Sequence, residues 1–284
     1  MRRRTTILLL GLLLAAADSW PRDRLFSFWS DDPQRFLAAI QNSSATALPA
    51  LPAGHRIRGG IVTHHFLASG MMARFFAELA AKSSPKTIIL LGPDHYHHGL
   101  AHISFSSLPW KTPFGELTAD RQLVRALAAA TGLPEDPEAF TGEHSVGVLI
   151  PFLKYYFPSS RVLPILVDVN VRSYPLRRLR EALSTALEEP DTLLLLSMDF
   201  SHDSVASIAD SRDSVAQKVI GAMDTSRTAS LHVDCRKGLW LLLESLKQAG
   251  SHRVFFSEHI NSAQITGNFA QPDVTSYFTI FFLD

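Results

Sequence analysis

Four polar side chains that can bind metals or move protons follow one apolar segment of the sequence. The segment TIILL at residues 87–91 is short and rich in β-branched residues, which predicts a buried strand. The next two residues, Gly-Pro, predict the end of that strand. The polar residues that follow are Asp94, His95, His97 and His98. Ligands bind at the carboxyl ends of strands in open α/β sheets, so we expect a functional site here.

The same arrangement recurs at two other predicted strands. The segment RGGIV leads into His64 and His65, and the segment TLLLLS leads into Asp199 and His202. If the three strands lie in one parallel sheet, their carboxyl ends share an edge and these side chains converge. Histidines are also common in ordinary turns, but three coincident positions favour a site.

The donor atoms of these side chains indicate transition-metal chemistry. Imidazole nitrogens and carboxylate oxygens together suit Fe(II), Zn(II), Cu(II) or Mn(II), and two histidines with one carboxylate form the site of non-haem iron oxygenases. Asp199 and His202, spaced Asp-x-x-His, provide either a ligand or an acid–base pair. Glu143 and His144 form a separate candidate. The glutamate there either orients a histidine or stabilises the amino terminus of a helix through its dipole.

Sequence patterns typical of other enzyme chemistries are absent or weak. The sequence has no G-x-S-x-G, P-loop, G-x-G-x-x-G or H-E-x-x-H pattern. Its one cysteine, Cys235, cannot form an intrachain disulfide. The predicted start of a helix at this cysteine would lower the thiol pKa, which suits a ligand or a reactive group. A buried, inert thiol is the alternative.

The first 17 residues predict a signal peptide. The basic stretch RRR precedes an apolar stretch, residues 7–17, that is too short for a typical membrane span. We expect cleavage after this segment and export to the periplasm or the extracellular space. An uncleaved membrane anchor and a cytosolic protein with an apolar first helix are the alternatives. Residues 18–55 are expected to form an N-terminal extension that packs lightly on the surface.

The remaining chain predicts one α/β domain over residues 56–284. Strand and helix patterns alternate from residue 57 to 200, which predicts a parallel sheet covered on both faces. The Phe-rich alternating segments 253–260 and 276–283 predict further strands of the same sheet. The domain should therefore have three layers, with helices on both faces of a central, mostly parallel or mixed sheet. The 27 basic and 27 acidic residues form no basic stripe, which argues against nucleic acid as a partner.

Several segments together resemble one protein family. They are LLGPDHYHH, KTPFGEL, EHSVGVLIPFL, VLPILV, SMDFSH, the single Cys235 and the closing DVTSYF, in the family's order. The chain resembles the Memo family, also called AmmeMemoRadiSam system protein B, from about Gly59 to the C-terminus. That family is similar in structure to class III extradiol ring-cleaving dioxygenases. The resemblance therefore implies the same kind of α/β fold.

The resemblance also implies a set of site residues. The family's first histidine ligand matches His64, with His65 as the rival, the second matches His95, and the family's cysteine matches Cys235. One departure lies beside this cysteine, where Arg236 stands in place of the usual glycine. Catalytic roles are implied for four further residues, which are Glu143, His144, Asp199 and His202.

The expected function is that of a metal-dependent oxidoreductase similar to extradiol dioxygenases. Its cofactor would be a single transition-metal ion, iron or copper in preference to zinc. Two alternatives use the same pocket: a module that binds a metal or a peptide without turnover, and a metal-dependent hydrolase. The expected partner is a small-molecule or peptide substrate, and a membrane would be contacted only through an uncleaved N-terminal segment.

Overall fold

The structure is a computed structural model that describes residues 24–26, 32–43 and 48–284. The predicted signal segment 1–17 lies outside the described residues, as do residues 18–23, 27–31 and 44–47 of the predicted extension. Within these ranges no helix has both the length and the apolar character needed to cross a membrane.

A seven-stranded mixed sheet forms the centre of the described domain. The strands in chain order are β1 Leu25–Phe26, β2 Ile57–Val62, β3 Thr87–Pro93, β4 Ile103–Phe105, β5 Trp110–Thr112, β6 Gly115–Leu117, β7 Arg161–Val167, β8 Thr192–Ser197, β9 Arg253–Asn261 and β10 Ser276–Leu283. The central sheet has the order β4-β7-β3-β8-β2-β10-β9, and β1, β5 and β6 form a small separate sheet. Strands β7, β3, β8 and β2 are mutually parallel, whereas β4, β10 and β9 run antiparallel to their neighbours. The predicted mostly parallel sheet is confirmed.

Helices cover both faces of this sheet. They are α1 Pro33–Ser43, α2 Ser69–Lys82, α3 Arg121–Thr131, α4 His144–Gly147, α5 Ile150–Tyr156, α6 Ser173–Ala186, α7 Ala206–Gly221, α8 Arg236–Gln248 and α9 Ser262–Thr266. Short 3-10 helices span Phe66–Ala68, Pro137–Phe140 and Thr225–Ser230. Helices α1, α2 and α5 contribute to one apolar core, and α3, α6 and α8 contribute to another.

Strand β3 shows how the sequence divides between these two cores. Ile89 and Leu91 pack with α3, α6 and α8, whereas Ile88 and Leu90 pack with α2 and α5. Successive side chains of a strand point to opposite faces. A strand that is covered on both faces is therefore a continuous apolar run, which is the pattern of residues 87–91. The three-layer prediction is confirmed.

Two predicted element boundaries are wrong. Strand β3 does not end before Gly92 but continues through Pro93, which pairs in register with Val167 of β7. Proline lacks the N–H that a residue in the strand interior donates to the ladder, and Pro93 is the last residue of the strand. The apolar segment 143–157 predicts one helix in which Pro151 sits early or causes a kink, but it forms two helices, α4 and α5, with Pro151 in the first turn of α5. Proline lacks the N–H of a helix interior but suits the first turn.

The predicted light packing of the N-terminal extension is also wrong for helix α1. Phe36 of that helix is fully buried. Its ring packs edge-to-face against Phe66, Phe114 and Phe152, with centroids 5.5, 6.2 and 5.4 Å apart. A buried aromatic side chain contributes roughly 2–3 kcal/mol by its apolar area alone. Helix α1 is therefore part of the core that includes α2 and α5.

Candidate metal centre

The carboxyl ends of three parallel strands meet at one edge of the sheet. Strand β8 lies between β3 and β2, and all three run in the same direction. His64 follows β2, His95 follows β3 and Asp199 follows β8. The strand pairing therefore brings together three of the segments in which the sequence predicted a site.

Three imidazole rings lie against one another at this edge. The ring centroids of His64 and His95 are 5.2 Å apart, and His64 and His144 are 5.3 Å apart. His95 and His144 stack at 4.4 Å. One nitrogen from each ring lies within 4.8 Å of the other two, which is close enough for a shared metal ion. His144, assigned a catalytic role from the sequence, is thus as near this centre as the two predicted ligands.

Glu143 fixes the orientation of His95. The two carboxylate oxygens accept hydrogen bonds from the Nδ1 and the backbone amide of His95, at 2.9 and 2.8 Å. The same carboxylate accepts from the backbone amide of Ser145 at 2.8 Å and so caps helix α4. Both contacts suggested by the sequence are therefore present. Burial alone would raise the pKa of Glu143, but the hydrogen bonds from His95 and Ser145 lower its pKa to about 2.

This ionised carboxylate also sets the tautomer of His95. A carboxylate without its proton can only accept hydrogen bonds, so Nδ1 of His95 must carry the ring proton. In the neutral ring, the other nitrogen, Nε2, then carries a lone pair. Fixing the far nitrogen of a metal-binding histidine in this way is the usual arrangement in metalloproteins.

Close packing at the end of β3 brings helix α4 to the pocket. A Cβ atom on Gly92 would lie 2.8 Å from Cγ1 of Val146 and 2.9 Å from Oγ of Ser145, so only glycine fits. Ser145 Oγ donates to the carbonyl of Pro93 at 2.8 Å. Ser197 at the end of β8 donates its hydroxyl proton to the carbonyl of Ser145. Helix α4, which begins with His144, is therefore attached to the tips of both strands.

His64 is the most buried histidine of the group, with 2% of its side chain exposed. Its Nδ1 lies 2.9 Å from Oγ of Ser197. Because the Ser197 proton is directed at Ser145, the hydroxyl oxygen accepts from His64, and Nε2 of His64 carries the lone pair. Burial lowers the pKa of His64 to about 4, so the ring is neutral at pH 7.

Asp199 lies behind His64 and is anchored to the end of β2. Its Oδ1 accepts hydrogen bonds from the hydroxyl of Thr63 and from the backbone amide of His64, the latter at 3.2 Å. Its Oδ2 lies 3.8 Å from Nε2 of His64. The predicted site residue Asp199 therefore reaches the pocket and also holds the loop that carries His64.

Asp234 is a pocket residue that the sequence analysis missed. Its Oδ2 accepts from the backbone amide of Asp199 at 3.1 Å and lies 3.3 Å from Nε2 of His64. The same oxygen is 4.0 Å from Nε2 of both His95 and His202. Its Oδ1 is buried and has no hydrogen-bond partner. Burial, followed by the charge of Asp199, raises the pKa of Asp234. Its position beside Cys235, before a predicted helix, was the available signal.

Cys235 lies in the apolar core that contains Leu196 and Leu239. Its thiol packs so closely against helix α8 that a Cβ on Gly238 would be 2.5 Å from Sγ. The expectation of a lowered thiol pKa is wrong, because burial and then the charge of Asp234 raise the pKa of Cys235. Among the described residues, no group of three metal-capable side chains includes Cys235.

The other two predicted histidines take different positions. Nδ1 of His65 lies 2.6 Å from the hydroxyl of Tyr277, and the described metal-capable groups do not include His65. His202 stays at the pocket, where its Nε2 is buried without a hydrogen-bond partner. Burial lowers the pKa of His202, so its ring is neutral at pH 7.

Two further groups of metal-capable side chains are found among the described residues. One contains His64, Asp199 and Asp234 and shares His64 with the first group, and the other contains Asp94, His97 and Asp168. The carboxylates of the latter group already have donors. Asp94 Oδ1 accepts from the backbone amide of His97 at 2.8 Å. Asp168 is 2.7 Å from Nδ1 of His97 and 3.2 Å from Nδ1 of His102, and it accepts from the amide of Asn170. Hydrogen bonds alone account for this arrangement.

Comparison with known proteins gives one family. The family described as Memo-like protein matches residues 26–280. A MEMO1 family protein of Pyrobaculum arsenaticum is 29% identical over 249 residues, which cover 84% of this chain and 87% of the relative. A MEMO1 family protein of Aquifex aeolicus is 28% identical over 209 residues, covering 70% and 76%.

One solved structure similar to this chain is an uncharacterized protein from Escherichia coli K12. It has a TM-score of 0.48 and 12% identity, and the match covers 80% of this chain and 99% of that protein. The family match spans both the parallel strands and the pocket described above, and it confirms the resemblance found in the sequence. The chain belongs to the Memo-like family.

Proposed function

We propose that this chain is a metal-dependent oxidoreductase that uses dioxygen to oxidise a small molecule. The observation that carries the proposal is the convergence of His64, His95 and His144, since one ring nitrogen of each lies within 4.8 Å of the other two. Ser197 and Glu143 hold the far nitrogens of His64 and His95, so that both Nε2 lone pairs are available to a metal.

The residues of the pocket fit a single transition-metal ion. Imidazole suits iron, copper and zinc. Glu143 is ionised, whereas the rings of His64 and His202 are neutral at pH 7. Asp234 keeps one buried oxygen without a hydrogen-bond partner. A cation would therefore be stabilised here. The resemblance to extradiol dioxygenases favours a redox-active metal, iron or copper, over zinc.

The neighbouring side chains can move protons during such a reaction. A bound iron or copper ion would supply the binding and activation of dioxygen or of a substrate oxygen. His144 stacks on His95 and is neutral at pH 7, because burial lowers its pKa, so it can accept a proton from a substrate hydroxyl. The hydroxyl of Tyr96 lies 3.3 Å from Nδ1 of His144 and orients that ring. His202, whose Nε2 lies 4.0 Å from Oδ2 of Asp234, offers a second neutral imidazole.

Oxygen uptake by metal-loaded protein tests this function. Metal-free protein is loaded anaerobically with Fe(II), with copper or with Zn(II), and oxygen consumption is followed with a panel of catechols. Zinc is the matched control because it suits the same ligands but has no redox chemistry. We expect uptake with iron or copper alone. His144→Gln should keep the metal content and lower the rate by about 10²–10⁴-fold, the usual contribution of a general base.

Two other outcomes contradict the proposal in different ways. Equal oxygen uptake by the iron, copper and zinc forms would exclude redox chemistry at this metal. Metal binding with no turnover of any compound would instead favour the binding module, and turnover without oxygen would favour the hydrolase.

A further inference from the structure

We propose that Asp234, and not Cys235, completes the metal site, so that the ligands are His64, His95 and one carboxylate. The inference rests on the proposed metal centre and specifies its ligands and its preferred metal. Two histidines and one carboxylate form a set that suits Fe(II) and other divalent ions, whereas a thiolate favours Cu(I). The donor set of this site therefore suits Fe(II) better than Cu(I).

The distances around Asp234 agree with shared coordination. Two ligand atoms bound to one ion at about 2.1 Å lie about 3.0–3.4 Å apart for bond angles between octahedral and tetrahedral values. Oδ2 of Asp234 is 3.3 Å from Nε2 of His64. Its 4.0 Å separation from Nε2 of His95 requires only a small movement of His95, whose side chain is 27% exposed.

The hydrogen bonds around the pocket leave three acceptors facing one another. The Nδ1 protons of His64 and His95 are bound by Ser197 and Glu143, so in the neutral rings the Nε2 atoms carry lone pairs. The carboxylate oxygen Oδ2 of Asp234 lies 3.3 Å from Nε2 of His64 and 4.0 Å from Nε2 of His95. Acceptors at such distances repel one another unless a cation or a proton lies between them. A divalent ion satisfies all three at once.

The carboxylate is held in this position by the end of strand β8. The backbone amide of Asp199 donates to Oδ2 of Asp234, and the amide of Asp234 donates to the carbonyl of Asp199 at 3.3 Å. This reciprocal pair leaves Oδ1 buried without a partner. The group at Asp94, His97 and Asp168 differs, because several N–H groups already bind its carboxylates. Asp234 alone of these carboxylates keeps a buried oxygen unsatisfied.

Cys235 does not share this position. Its sulfur lies in the apolar core against Gly238, at the residue that precedes helix α8. Among the described residues, no metal-capable group contains it. The two neighbouring residues therefore have separate roles: Asp234 faces the metal site and Cys235 packs the helix.

Metal binding by paired variants tests the assignment. Affinity for Fe(II) and for Co(II) is measured anaerobically for the wild type, Asp234→Asn and Cys235→Ser, with circular dichroism as the check on folding. We expect Asp234→Asn to lose at least about 100-fold in affinity, more than the loss of an outer partner causes. Cys235→Ser should change it by less than about threefold. The cobalt spectrum of the wild type should lack a sulfur-to-metal charge-transfer band.

A gain-of-ligand variant covers the case in which Asp234→Asn misfolds. Asp234→Cys places a thiolate at the same position and should raise the affinity for Cu(I) relative to Fe(II), with a new charge-transfer band in the cobalt form. Unchanged affinity in folded Asp234→Asn would overturn the assignment, as would a charge-transfer band in the wild type that Cys235→Ser removes. A wild type that binds none of these metals would refute the proposed function itself, whereas oxygen consumption has no bearing on these readouts.

Discussion

Replacing Glu143 with glutamine should destabilise the metal-free protein and disturb the orientation of His95. The carboxylate accepts three hydrogen bonds, from Nδ1 and the amide of His95 and from the amide of Ser145. Glutamine has the same shape but offers one oxygen and an NH2 group. At least one of the donors must then face another donor. That clash is avoided only if the His95 ring moves its proton from Nδ1 to Nε2, the nitrogen at which a metal would bind.

The size of the effect follows from the pKa of Glu143. The pKa falls from its ordinary value of 4.5 to about 2 in the folded protein. Each pH unit corresponds to about 1.4 kcal/mol, so the ionised carboxylate contributes roughly 3 kcal/mol of stability at pH 7. A depressed carboxylate pKa stabilises the fold above the unfolded value and loses that effect as the pH falls. Less than half of the contribution, about 1.4 kcal/mol, should remain at pH 3.

Urea unfolding of the metal-free proteins measures this difference. The wild type and Glu143→Gln are compared at pH 7 and at successively lower pH, and the gap between them should narrow below pH 4.5. Glu138→Gln is the matched control, since Glu138 is exposed on the preceding 3-10 helix. The reasoning is refuted if Glu143→Gln costs no more than Glu138→Gln at pH 7. It is also refuted if the gap does not depend on pH.

Three further substitutions test other parts of the structure. Gly92→Ala places a Cβ 2.8 Å from Val146 and should cost about 1–3 kcal/mol in urea unfolding, whereas Gly70→Ala in helix α2 meets nothing closer than 3.4 Å and should be neutral or stabilising. Phe36→Ala should cost about 3–5 kcal/mol by the same measurement, and a neutral result would mean that α1 does not belong to the core. In metal titrations, Ser197→Ala should weaken binding about 10–100-fold by releasing Nδ1 of His64.

The residues at this edge of the sheet could be predicted from the sequence because each strand is recognised from a short local pattern. Strands β2, β3 and β8 are short apolar runs, and a run of that kind fits a strand covered on both faces. Parallel strands place their carboxyl ends together, so the positions of His64, His95 and Asp199 followed from the strand assignments. The resemblance to the Memo family implied the same residues as site residues.

Parts of the site that depend on tertiary contacts were not predictable in this way. The position of α4 at the strand ends follows from the contacts that attach Ser145 to Pro93 and to Ser197. Those contacts join residues about fifty positions apart in the chain, and no local pattern encodes them. Burial of Phe36 is similar, because the composition around it resembles that of an exposed segment while its partners lie far along the chain.

The assignment at the start of helix α8 shows how a difference of one residue changes a site. Adjacent side chains at the entrance to a helix point in different directions, and only the packed structure decides which of them faces the pocket. Here Asp234 faces the histidines, while Cys235 packs against Gly238. The sequence held a sign of this shift, since Arg236 stands where the family's cysteine is followed by glycine. With Asp234 at the ligand position, Cys235 falls at the position of that glycine. The change of donor from sulfur to oxygen then alters which metals the same two histidines select.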